Sequence, residues 1–330
     1  MEYKGKYKFF DYSRINTYPI AERPNKVKPD DLTDPQRVLA EPLRFDTPEI
    51  REVARCIVAC AKEMKPVIWM TGAHGTKLGL SPLVIDLVKR GLITLVAMNG
   101  ANSIHDFELG LIGETSEHVP NALPLGKFGM AYETGAYMNA AIDHGNRLKL
   151  GQGEALGAMI VGEVFPDKVT FTHPELSLLA ACYRVRLPAT VHVSMGTDII
   201  DEHPSFDGEA MGGTSGRDFG VFVAEIERMI GGGVFLNIGS AVTGPEVFLK
   251  AVSMAANVGN VPNRITTADF DLRPANLGHT DDDTKPTYYF RDIKSVVTRI
   301  PQAFKGTGFY INGPFQDTLP ALYKLVVEGM

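Results

Sequence analysis

The segment WMTGAHGTKLGLSPLVIDLVKRGLITLVAMNGANSIHDFE, residues 69–108, decides the fold. It completes the apolar run PVIWM (66–70), which reads as a buried strand. TGAHGTKLG (71–79) is then a glycine-rich loop. Ser81 caps the next helix, Pro82 opens it, Lys89 and Arg90 suit its carboxyl end, and Gly91 stops it. LITLVAM (92–98) is a second buried strand, and the polar NGANSIHDFE (99–108) follows it as a loop. Caps, period and turn chemistry agree on a strand–helix–strand unit of a mostly parallel sheet.

The same alternation extends in both directions. Upstream, Pro48–Lys65 is a helix with one apolar stripe, capped by Asp46 or Thr47 and stopped by Pro66. Residues 1–45 are polar and hold Pro19, Pro24, Pro29, Pro35 and Pro42, which reads as an extended arm. Downstream, helices are expected around Glu133–Asp143, from Thr172 through SLLAACYR, over Arg217–Ile230, from Pro245, and from Thr318. Strands are expected at ATVHVS (189–194), VFLNIG (234–239), RITTAD (264–269) and GFYING (308–313). The expected architecture is an arm (1–45) and a single α/β domain (46–330), Rossmann-like, with helices on both faces of the sheet.

Bulk properties narrow the function classes. The chain has 330 residues and a net charge of −6, which argues against nucleic acid as the main partner. No apolar run reaches the length of a membrane span, and the N-terminus lacks a signal-peptide core. Cys56, Cys60 and Cys182 are too few and too scattered for a disulfide framework, so a cytoplasmic location is expected. No HExxH or paired CxxC spacing appears, and no metal site is expected.

Ligands of open parallel sheets lie beyond the carboxyl ends of the strands. That rule selects the loops Thr71–Gly79, Asn99–Glu108, Met195–Gly216, Gly239–Gly244 and Thr267–Asp271. Thr71 and Gly72, with Ser81 at the helix start, are candidate cofactor contacts, because amides at a helix N-terminus bind anions. His105 is a candidate acid–base residue, with Asp106, Glu108 and Asp198 as substrate-binding carboxylates. Gly231–Gly233 permit close backbone approach to a ligand.

Four segments in order resemble the deoxyhypusine synthase family. They are Trp69–Glu108, IGGGVFLNIGSAVTGPEVFLKAV (230–252), ITTADFD (265–271) and GFYINGPFQDTLPAL (308–322). The resemblance implies bound NAD and a homotetramer with shared sites. It implies that NAD takes hydride from a polyamine, and that an aminoalkyl group passes through a lysine imine to an amine acceptor, which in the family is a protein lysine. By that resemblance the imine lysine falls on Lys294 in YYFRDIKSV. The cofactor contacts fall on Asn99, Gly100, Ala101, Gly232, Gly233, Thr267, Ala268 and Asn312. Three positions depart from the family pattern. Tyr288 replaces an acidic residue, Asp292-Ile293 replaces a Trp-Gly pair, and His105-Asp106 aligns with an acidic pair. Two other readings fit the residues: a metal-assisted hydrolase using His105, Asp106, His192 and His203, and a non-catalytic nucleotide-binding relative.

Overall fold

The computed structural model describes residues 3–163 and 169–330. Its centre is a parallel sheet of six strands: β1 (Val67–Thr71), β2 (Leu95–Asn99), β3 (Ala189–His192), β4 (Gly233–Ile238), β5 (Ile265–Asp271) and β6 (Thr307–Asn312). Their order across the sheet is β3-β2-β1-β4-β5-β6. The chain starts in the middle, winds outward one way, returns, and winds outward the other way. This is the doubly wound Rossmann arrangement, with the order reversing between β1 and β4.

Alternate residues of each strand feed two separate cores. Trp69, Val96, Leu236 and Phe270 face one, with Ile50, Leu83, Leu179 and Leu322 from helices. Ile68, Ala97, Phe235 and Ile265 face the other, with Phe222, Phe248 and Val296. Both faces are therefore covered, which is why these strands read as nearly continuous apolar runs.

The helices that matter here are α1 (Pro48–Lys62), α2 (Ser81–Lys89), α3 (Gly100–Ile112), α4 (Tyr132–Arg147), α5 (Gln152–Ile160), α6 (Leu178–Arg184), α7 (Gly208–Glu227), α8 (Thr243–Asn257) and α9 (Phe315–Gly329). Thr47 caps α1 by accepting from the Ile50 amide at 3.3 Å, and Ile50, Val53, Ala54 and Ile57 form its buried stripe.

Several expected boundaries are corrected. NGANSIHDFE is not a loop: Asn99 Oδ1 accepts from the Asn102 amide at 2.9 Å, and α3 begins at Gly100. Ser81 is not a cap; it lies in the first turn of α2, and its hydroxyl donates to Thr76 Oγ1 at 3.1 Å. The glycine loop contains a helical turn, His74–Lys77. The Met195–Gly216 loop ends early, because Asp207 accepts from the Glu209 amide at 2.8 Å and starts α7 there. Thr318 does not start α9, which already runs from Phe315. Helix α5 was not anticipated; Gly153 lets it approach the Ala189 carbonyl so closely that a Cβ would overlap that oxygen.

The N-terminal arm is more structured than its prolines suggest. Asn25–Val27 pairs antiparallel with Thr115–Glu117. The Tyr18 amide donates to the Met130 carbonyl, and the Tyr132 amide donates to the Tyr18 carbonyl. These contacts hold the arm over the carboxyl end of β2.

Candidate functional site

Two polar clusters lie along the carboxyl edge of the sheet. They are separated by β1 and β4, roughly 14 Å at the usual strand spacing.

The first is built on α3. Glu108 is fully buried, and its carboxylate accepts from Arg23 Nη1 at 2.7 Å, Thr115 Oγ1 at 2.6 Å and Thr134 Oγ1 at 2.8 Å. Burial alone would raise this carboxyl; the charge of Arg23 and its hydrogen bond outweigh burial and hold it below the usual range. Because the Thr115 hydroxyl donates to Glu108, its oxygen accepts from His105 Nδ1, 2.8 Å away, which places the imidazole proton on Nδ1. Burial pushes His105 down to about 4, so the ring is neutral at pH 7.

A cavity of about 200 Å³ opens beside these residues, lined by Arg23, Lys77, Ala101, His105, Glu108 and Asp198. Burial, then the neighbouring charge of Asp201, pushes the Asp198 carboxyl up to about 7. Asp198 stands against the first turn of α3, where a Cβ on Gly100 would overlap its carboxylate.

Two expected substrate contacts are corrected here. Asp106 points away from the cavity and caps α6, accepting from Ser177 Oγ at 2.6 Å and from the Leu178 and Leu179 amides at 2.6 and 3.1 Å. Burial raises its carboxyl to about 6 against the pull of these bonds. Glu108 is fully engaged in holding the arm. His192 packs edge-on against Phe222, with Nε2 3.0 Å from Thr190 Oγ1, and His203 Nδ1 lies 2.7 Å from Ser205 Oγ. Among the described residues, His105, Asp106, His192 and His203 do not gather into a metal-ligand set. The metal-assisted hydrolase reading loses its ligands.

The second cluster lies at the ends of β5 and β6. Asp269, Asp271 and Asp292 bring carboxylate oxygens within 4.8 Å of one another. Arg273 bonds both Asp271 and Asp292, and its guanidinium lies over the Phe290 ring, 4.5 Å from the centroid. Asp269 is 1% exposed; Asn237 Nδ2 donates to its Oδ1 at 2.6 Å, and its Oδ2 has no partner among the described residues. Burial, then the charge of Asp292, pushes the Asp269 carboxyl well above the usual range.

Asp292 begins the π-helical segment Ile293–Arg299, whose second residue is Lys294. Such i→i+5 turns are rare and cluster at functional sites. Lys294 is 2% exposed, and its ammonium lies over the Tyr288 ring, 2.9 Å from the centroid. Thr267 Oγ1 donates to the Val296 carbonyl and ties this segment to β5. Among the described residues Lys294 makes no ion pair.

The residues assigned to NAD by resemblance do not form one open site. Gly232 and Gly233 precede or begin β4, at the amino edge of the sheet, because the strand they introduce runs parallel to its neighbours. Thr267 and Ala268 lie in mid-strand with no exposure. Asn312 donates to the carbonyls of Asp271 and Arg273 at 3.0 and 2.9 Å and so shapes a loop. The Thr71 hydroxyl donates to the Gly72 carbonyl at 2.8 Å.

A dinucleotide would lie in the crevice between β1 and β4. There the Gly72 amide donates to the Ile238 carbonyl at 2.9 Å, and a Cβ on Gly72 would overlap the Gly239 carbonyl. A Cβ on Gly239 would lie 2.9 Å from the Phe315 ring. The chain itself fills that crevice. Gly100 and Ala101 do border the α3 cavity, but Asp198 occupies the helix N-terminus and the cavity is smaller than the ~300–1,000 Å³ of ordinary ligand sites.

Arg23, Asn237 and Arg273 were not singled out from the sequence; Asp269 and Asp271 fell in the selected segment Thr267–Asp271 without a role, and Asp292 was noted only as a departure from the family pattern. Asp269 and Asp271 had a usable signal: carboxylates two apart at a strand's carboxyl end share one face. Arg23 had none, since its partner is 85 residues away.

No protein-family model matches the chain, and no curated protein matches it. Similar solved structures include a LOR/SDH-type protein from Methanococcus maripaludis S2, with 14% identity, 86% of this chain and 71% of that one covered, and a TM-score of 0.47. An Entamoeba histolytica protein described as a deoxyhypusine synthase matches over 95% and 97% of the two chains, with 8% identity and a TM-score of 0.45. AgrE, solved with ornithine and NAD+, matches over 90% of this chain at 13% identity and a TM-score of 0.44. This chain spans about a third of the length of AgrE, 34% of it. All three TM-scores lie below 0.5, so the chemistry rests on this chain's own residues.

Proposed function

We propose that the chain is an enzyme acting on a primary amine, and that Lys294 forms an imine with the aldehyde or imine derived from it. One observation carries this reading: a buried lysine without an ion-pair partner among the described residues, held over Tyr288 in a π-helical turn that starts at a cluster of three carboxylates. An imine-forming lysine needs a protected amine that no carboxylate holds as a salt. The carboxylates nearby suit a cationic substrate. This is the lysine step of the aminoalkyl transfer that the family resemblance implies, in which NAD would take up the hydride that a polyamine donor loses and an amine would be the acceptor. A protein lysine as acceptor, a homotetrameric assembly and a cytoplasmic location belong to the same proposal.

The step balances without a cofactor when an aldehyde is supplied. Lys294 Nζ attacks the carbonyl carbon, the C–N bond forms, and the oxygen leaves as water. A second amine then exchanges for Lys294 at the C=N carbon. The test is incubation with 4-aminobutanal followed by borohydride, which adds hydride to the imine and fixes the adduct. Intact mass should rise by one aminobutyl group in the native protein and not in Lys294→Arg. Equal labelling of the two proteins would contradict the reading.

A further inference from the structure

Three carboxylates with oxygens within 4.8 Å of one another have the spacing of a divalent-metal site. Here, however, one cation is built into the chain. Arg273 bonds Asp271 and Asp292, and its head group rests on Phe290. Its backbone carbonyl accepts from the Tyr310 hydroxyl and from Asn312 Nδ2. Backbone and guanidinium are thus both fixed.

The third carboxylate stands apart. Asp269 is buried, one oxygen is held by Asn237, and Oδ2 has no partner. An acceptor left bare in the interior is costly, so the position favours a donor from outside the chain. Lys294 does not fill it, because its ammonium lies over Tyr288.

We propose that Arg273 determines what this cluster binds. It takes Asp271 and Asp292 for itself and leaves Asp269 Oδ2 as the seat for a single ammonium group of the amine substrate. The inference deepens the amine-enzyme reading and rests on it for the class of ligand. A divalent ion needs several bare oxygens at once, and Arg273 removes two of the three carboxylates from its reach. An ammonium needs only one strong acceptor and brings its own donors.

The test is titration calorimetry of the full chain with 1,4-diaminobutane alone and with Mn2+ alone. It is repeated on Arg273→Met, on Asp269→Asn and on the double variant, with Arg273→Lys in place of Arg273→Met if the latter is unfolded by circular dichroism. The native protein should bind the diamine and not Mn2+. Asp269→Asn should weaken diamine binding at least tenfold. Arg273→Met should bind Mn2+ at least tenfold more tightly than the native protein, Arg273→Lys should gain less, and the double variant should lose the gain. The proposal is overturned if the native protein binds Mn2+ as tightly as Arg273→Met, if Arg273→Met gains no Mn2+ binding, or if the native protein binds no diamine. Unchanged diamine binding by Asp269→Asn overturns it too. None of these titrations involves an imine, so their failure leaves the Lys294 reading standing, and failure to trap Lys294 leaves them standing.

Discussion

The carboxyl edge carries two arginine–carboxylate clusters that differ in one respect. Around Glu108 the carboxylate is fully matched, by one guanidinium and two threonine hydroxyls, and the atom left bare among the described residues is a donor, the buried Nη2 of Arg23. Around Asp269 they are not matched, since three carboxylates meet one guanidinium and a buried oxygen is left over. The matched cluster fastens the arm to α3. The unmatched one sits beside a buried lysine. A buried carboxylate whose donors all come from its own chain serves the architecture; one left with a bare oxygen is placed to receive a donor.

The sharpest way to break this contrast is to remove each arginine. Arg23→Met leaves Glu108 buried without a cation and should cost about 3–5 kcal/mol in urea denaturation, the usual penalty for halving a buried ion pair. Adding Glu108→Gln should recover most of it. Gly100→Ala drives a methyl group into Asp198 and should cost about 1–3 kcal/mol. Asp198→Ala should restore part of that loss. Arg273→Met leaves the buried Asp292 without its cation, but the arginine side chain is 36% exposed and water can reach the pair, so it should cost less than Arg23→Met, about 1–3 kcal/mol. Equal costs for Arg23→Met and Arg273→Met would erase the distinction between the clusters.

The pH dependence tests the cavity beside Glu108 separately, and two residues lining it should act in opposite directions. Burial raises Asp198 to about 7 in the folded chain, against an ordinary value of 3.8. Between those values the folded chain keeps a proton that the unfolded chain has lost, so this residue makes stability fall as pH rises. His105 titrates at about 4 when folded, against 6.5. There the unfolded chain holds the extra proton, so this residue makes stability rise with pH up to the unfolded value. In denaturation series from pH 4 to 7, Asp198→Asn should remove a falling contribution and His105→Gln a rising one. Shifts of the same sign in both variants would contradict the burial assigned to one of them.

The strands other than β6 were legible because their faces are buried, which leaves apolar runs bounded by turn residues; β6, at the edge, is only partly covered. The helix starts were harder. The first turns of α3 hold Asn102, Ser103, His105 and Asp106, and polar residues of this kind also suit loops; burial of Asn102, Ser103 and Asp106 against other parts of the chain turns them into helix. The first half of α7 has Gly208, Gly212, Gly213 and Gly216, which hide its period. The glycines at 231–233 misled most, because their conformational freedom serves the turn into β4 and not a ligand: Gly231 and Gly232 have φ of 77° and 131°. Lys294 drew notice in the sequence only through resemblance, and its role is the one proposed above. The asymmetry of its carboxylates depends on which oxygen Asn237 and Arg273 reach, and spacing along a chain does not encode that.

The most direct measurement is the site of the trapped adduct. After a short exposure to 4-aminobutanal and borohydride at neutral pH, peptide mass spectrometry should find the aminobutyl group on Lys294 ahead of every exposed lysine. An adduct spread over the surface lysines with Lys294 unmodified would contradict the account.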